Sequence, residues 1–102
     1  MTASAHEWSE RSYTQLLTEL NEERAGALGR VGRRLEEARA RAENLGREID
    51  LAEQPDPGTI DEHRRAYDDA EHWRWQLCVV RESNGLHDHR WVDAIYPPLR
   101  RR

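Results

Sequence analysis

The chain has 102 residues and a formal net charge of −4, with acidic and basic side chains interspersed along it. This length predicts one domain, residues 1–102, and the lack of a basic stripe argues against nucleic-acid binding. A single cysteine, no apolar leader and no membrane-length apolar run predict a cytoplasmic protein without a disulfide or a membrane segment.

The N-terminal half predicts one long helix, from Ser9 as its N-cap to about Leu51. Residues 1–8 before it, and residues 100–102 at the other end of the chain, are expected to be flexible. Its apolar residues form two sets, and the second set recurs at alternating steps of three and four, the heptad pattern of a packed helical seam. The sets are Tyr13, Leu16, Leu17 and Leu20, then Leu28, Val31, Leu35, Ala38, Ala42, Leu45 and Ile49.

Three glycines, Gly26, Gly29 and Gly32, interrupt this helix between the two sets. Each glycine costs about 1 kcal/mol relative to alanine inside a helix. The glycines therefore predict either a kink or break in the first helix, or a place where another helix approaches closely.

A second helix is predicted from about residue 60 to 83. The stretch Pro55–Gly58 ends the first helix, because two prolines and a glycine cannot continue it. Thr59 and Glu62 then match the capping box, with Thr59 as the N-cap. Asn84 and Gly85 form the C-terminal stop, with Leu86 as the hydrophobic contact of such an ending.

A short third helix is predicted from about residue 88 to 95, capped by Asp88 and ended by the prolines that follow. The predicted fold is an all-α antiparallel helical hairpin, with small apolar residues near the turn and bulky ones at the open end. Two such hairpins could combine into a four-helix bundle as a dimer.

Two apolar surfaces remain without cover in this hairpin. The second helix reaches only to about Leu28, so the first apolar set needs either the C-terminal segment or a second copy of the chain. The run from Trp73 to Val80 is apolar on more than one face, and Trp73 and Trp75 cannot share a face. The residues predicted to make contacts are Leu20, Trp73, Trp75, Trp91 and Tyr96.

No catalytic motif is present, and Cys78 is expected to be a core residue rather than a nucleophile. The sequence therefore predicts a non-enzymatic interaction or assembly protein, with no cofactor, that self-associates as a dimer through its tryptophan-rich end or binds a protein partner. We expect Leu20→Arg or Trp75→Arg to shift the solution mass to that of a monomer.

An alternative function is a helical bundle that binds a metal or a small molecule. His87 and His89 flank Asp88, and two imidazoles with a carboxylate can bind a divalent metal. A site needs three or four ligands, and no further ligand can be identified from spacing. A nucleic-acid regulator would depend on Arg100–Arg102 alone and is not favoured.

One family resemblance concerns the second helix. The stretch from Tyr67 to Glu71 fits the Y-x-x-x-[D/E] export pattern, and the chain is similar in length and hairpin form to the WXG100 secretion substrates. That resemblance implies a secreted helical hairpin. The Trp-x-Gly motif that defines the turn in those proteins is absent, since the turn here is Pro55–Gly58.

Overall fold

A computed structural model of the protein describes the backbone of residues 5–102 and the side chains of residues 10–102. The chain forms helix α1 (Ala5–Leu51), helix α2 (Pro57–Ser83) and the short helix α3 (Arg90–Ile95). Helices α1 and α2 pack against each other, and the described residues contain no strand. The predicted all-α helical hairpin is therefore confirmed.

The first helix differs from its prediction at its start. It begins at Ala5, so Ser9 lies inside α1 and is not its N-cap. Residues 5–8 contain no helix breaker, so the helix can begin before Ser9. Of the segment predicted to be flexible at this end, residues 1–4 lie outside the described residues.

The glycine stretch does not interrupt α1. The helix continues through Gly26, Gly29 and Gly32, so a break there is wrong, and a kink within the continuous helix stays a prediction. Glycine weakens a helix but keeps its backbone N–H donor, and the intervening Ala27, Leu28 and Arg30 are good helix formers. No other helix of the described chain approaches these glycines, because a Cβ added to them would meet only arginine side chains of α1 or nothing.

The start of α2 also differs from its prediction. The helix begins at Pro57, and Asp56 is the N-cap, whose carboxylate accepts the Thr59 N–H at 3.2 Å. The predicted cap at Thr59 is therefore wrong. Proline disrupts the interior of a helix, but it suits the first helical position, where its missing N–H and fixed φ cost nothing.

The end of α2 is the predicted one. The Leu86 N–H donates to the Arg81 carbonyl at 2.9 Å, and the Gly85 N–H donates to the Glu82 carbonyl at 2.9 Å. Gly85 has a φ of +80°, the left-handed conformation that glycine adopts most easily. This pair of hydrogen bonds is the Schellman motif, and it turns the chain back towards the hairpin.

The core lies in the half of the hairpin away from the turn. Leu35 of α1, Leu77 of α2 and Val92 of α3 are at most 5% exposed and contact one another. Nearer the turn the buried hydrophobic residues are alanines, which confirms the predicted division between small and bulky apolar residues. These alanines are Ala38, Ala42, Ala66 and Ala70.

Residues 86–102, here called the C-terminal segment, run back along the hairpin towards the turn. Arg74 of α2 donates to the Tyr96 carbonyl at 3.2 Å, and Arg39 of α1 donates to the Pro97 carbonyl at 2.8 Å. At its end, Arg102 pairs with Asp50 at 2.9 Å. The segment therefore covers one side of the hairpin and leads away from residues 10–25.

Candidate functional site

Residues 10–25 of α1, here called the N-terminal arm, project beyond the end of α2. Every side chain in the arm is exposed, and burial on α1 begins at Gly26. Four of these exposed side chains are large and apolar, namely Tyr13 (64% exposed), Leu16 (60%), Leu17 (41%) and Leu20 (40%). At helical spacing they share one face, which no other described part of the chain covers.

The polar contacts of the arm are local. The Gln15 amide donates to Glu19 at 3.3 Å, and the Thr18 hydroxyl donates to the Thr14 carbonyl at 3.0 Å. The Gln15–Glu19 pair stabilises the helix by a few tenths of a kcal/mol, and neither contact holds a second element in place. The apolar face of the arm is therefore available to another molecule.

The two neighbouring tryptophans of α2 lie in different surroundings. Trp73 is half-buried against the core cluster, with the Arg34 guanidinium 5.8 Å from its ring. Trp75 is 61% exposed, and its nearest aromatic neighbour is His72 at 6.4 Å. Trp73 thus contributes to the fold, whereas Trp75 lies on the outer surface of α2.

The aromatic residues of the C-terminal segment differ in the same way. Trp91 is 52% exposed, with the Arg81 guanidinium 5.2 Å from its ring. Tyr96 is half-buried, and its hydroxyl donates to Glu36 at 2.9 Å. Burial, together with this hydrogen bond, raises the pKa of Tyr96. Of the five predicted contact residues, Leu20, Trp75 and Trp91 are exposed.

The predicted metal ligands are not brought together with further ligands. The Nε2 atom of His89 lies 2.8 Å from Glu82, and Asp88 pairs with Arg90 at 2.7 Å. His87 is exposed. Among residues 10–102 no group of three His, Cys, Asp or Glu side chains is placed to hold a metal ion.

A basic pocket near the hairpin turn was not predicted from the sequence. It lies between α1, α2 and the C-terminal segment, and its lining includes Arg47, His63, Arg100 and Arg102. The Arg102 guanidinium hydrogen-bonds to Asp50 and holds the pKa of that carboxyl below its usual range. Only the fold brings residues 99–102 to this place, so no spacing in the sequence could have indicated the pocket.

Comparison with known proteins finds no matching family model, no similar curated protein and no similar solved structure. In the part of the chain that the structure describes, no helix is both long enough and apolar enough to cross a membrane. The functional argument therefore depends on the surfaces of the molecule itself.

Proposed function

We propose that this protein is a non-enzymatic helical assembly protein that self-associates through its N-terminal arm. The observation that carries the proposal is the apolar face of the arm, on which Tyr13, Leu16, Leu17 and Leu20 are 40–64% exposed. Burying a leucine side chain contributes roughly 1.5–3 kcal/mol. A partner helix that covers this face would therefore stabilise the complex by burying leucines that are exposed in the single chain.

The spacing of these four residues favours a second copy of the same chain as the partner. Positions 13, 16, 17 and 20 are symmetric about the midpoint between Leu16 and Leu17. Two antiparallel arms in that register place Tyr13 opposite the second copy's Leu20, and Leu16 opposite the second copy's Leu17. A two-fold symmetric interface requires this kind of self-complementary surface.

Glu10 and Glu23 flank the apolar face at its two ends. Arg11 and Glu22 lie on the opposite face of the arm and take no part in this contact. Glu10 lies opposite the second copy's Glu23, and Arg30, at 3.4 Å from Glu23 within one chain, offsets their repulsion. The register therefore matches apolar residues at the centre and leaves charged residues at the rim, as protein interfaces do.

This arrangement also includes part of the tryptophan-rich end. An antiparallel arm from the second copy ends beside the open end of the first hairpin, near the last turn of α2. Leu86 (44% exposed) and Trp91 (52% exposed) lie at that end of the molecule. They extend the apolar contact beyond the four arm residues.

Light scattering tests the proposal directly. At tens of micromolar the unmodified protein should have twice the 12.0 kDa mass of one chain. Leu17→Arg should give a monomer, because it places a charge at the centre of the apolar contact. Gln15→Arg is the matched control: it adds the same charge to the opposite face of the arm and should leave the dimer intact.

Two further results would contradict the proposal. A monomeric mass for the unmodified protein would remove self-association altogether. Dissociation by Trp75→Arg but not by Leu17→Arg would place the interface on the outer surface of α2, as the sequence alone allowed. For the register, Glu10→Arg should strengthen the dimer, because the new side chain lies near the second copy's Glu23 and replaces a repulsion with an attraction.

A further inference from the structure

The basic pocket near the hairpin turn contains a buried histidine without a partner. The pocket has a volume of about 200 Å³. His63 of α2 lines it, is 2% exposed and makes no hydrogen bond to any residue whose side chain is described. The ring nitrogens of His63 keep some accessible surface, so a ligand in the pocket can hydrogen-bond to the imidazole.

The charges around His63 leave positive charge unpaired. Glu43 lies 3.8 Å from Arg39, a residue outside the pocket lining, and Asp50 is paired with Arg102. Arg47 and Arg100, which also line the pocket, have no carboxylate within ion-pair distance among the described side chains. The pocket is thus lined by two guanidinium groups without a carboxylate partner, of which Arg47 also hydrogen-bonds to the Asn44 amide oxygen.

The position of Arg102 is held by its surroundings. Gly46 of α1 is buried directly beneath the Arg102 guanidinium, and a Cβ at that position would collide with it. Asp50, one helical turn further on, accepts two hydrogen bonds from Arg102, at 3.1 and 2.9 Å. Gly46 and Asp50 therefore fix the position of the Arg102 guanidinium, which lines the pocket.

We propose that this pocket binds a small tetrahedral oxyanion of the phosphate or sulfate class, held by Arg47, His63 and Arg100. Arginine binds such anions through charged hydrogen bonds, which are about twice as strong as those between neutral groups. A volume of about 200 Å³ accommodates one such group. The site is independent of the arm, because its residues lie at the other end of the hairpin.

Binding should depend on pH through His63. Burial lowers the pKa of His63, and the nearby Arg102 lowers it further, whereas Asp50 raises it. Glu43, Arg47 and Arg100 also face the imidazole from α1 and the C-terminal segment. A bound dianion favours the protonated ring, so anion binding raises the pKa of His63 and becomes tighter as the pH falls through that pKa.

Histidine ring NMR spectra recorded during a sulfate titration test the site, because sulfate itself does not titrate near neutral pH. Sulfate should raise the pKa of His63 by about one unit or more relative to sodium chloride of equal ionic strength. The His63 signal is assigned by its loss in His63→Gln. Glycerol 3-phosphate in a parallel titration distinguishes a phosphate monoester from the free anion, according to which binds more tightly.

Arg100→Gln and Arg47→Gln should each weaken sulfate binding about tenfold or more, as expected for loss of a charged hydrogen bond. Arg41→Gln, an exposed arginine of α1 outside the pocket lining, is the matched control and should leave the affinity unchanged. Equal effects of sulfate and chloride on His63, or equal affinities of Arg100→Gln and Arg41→Gln, would overturn the proposal. Light scattering on the same samples tests self-association through the arm independently of sulfate binding.

Discussion

The N-terminal arm and the part of α1 within the hairpin form one continuous helix, yet the apolar residues of the arm are exposed and those at the heptad positions of the hairpin part are buried or half-buried. Leu35 is fully buried, whereas Leu16, on the same helix, is 60% exposed. The side chains of residues 10–25 are all exposed, whereas Leu28 already packs against the core. The apolar periodicity of a helix therefore predicts which face needs a partner, whereas the length of the second helix decides which part of that face is covered.

The same difference bears on stability. Isolated helices are marginal in water, since most helical stability in proteins comes from packing of the apolar face. The arm has local side-chain contacts but no packed face, so its opening should cost far less free energy than unfolding of the hairpin. Self-association would remove this difference.

The largest effect should separate the two regions directly. Leu35→Ala should lower the free energy of unfolding by about 2–5 kcal/mol, because it opens a cavity in the core. Leu16→Ala, the same change in the arm, should cost less than about 0.5 kcal/mol under conditions where the protein is monomeric. Urea unfolding followed by circular dichroism measures both. Comparable losses would mean that the arm is packed against the hairpin.

Two glycines sharpen the comparison at the limits of the packed region. Gly85→Ala should destabilise the fold by about 1 kcal/mol, because its φ of +80° is strained for alanine. Gly32→Ala should stabilise it by up to about 1 kcal/mol, because an added Cβ meets nothing within 4 Å and alanine favours the helix. Thermal melts of the two variants should therefore shift in opposite directions. A loss of stability in Gly32→Ala would show that α1 is bent or closely packed there.

The smallest effect concerns the start of α2. Asp56→Ala should cost about 1 kcal/mol, because its carboxylate caps the helix by accepting the Thr59 N–H. Thr59→Ala, three positions on, should cost less than about 0.5 kcal/mol. The same urea experiment compares them. A larger loss of stability in Thr59→Ala than in Asp56→Ala would show that Thr59 is the N-cap, as the sequence pattern alone suggested.

Capping rules predicted a helix end correctly where the sequence offers a single strong termination signal. The end of α2 was predictable because Asn84 and Gly85 favour the left-handed ending that the structure contains. The beginning of α2 was not, since Asp56 with Pro57 and Thr59 with Glu62 both satisfy capping rules. A choice between two valid caps depends on how many residues the turn needs to bring α2 onto α1, which is a property of the packed hairpin.

The sequence by itself determined the all-α class, the two long amphipathic helices and the apolar face of the arm, because helical periodicity and capping act over a few neighbouring residues. The structure shows that α1 continues through Gly26–Gly32, and only the tertiary structure decided that the C-terminal segment runs back to the turn. That course leaves the arm uncovered and brings Arg100 and Arg102 beside His63. Contacts between residues so distant in the chain depend on the direction in which a segment packs, and no local pattern encodes that direction.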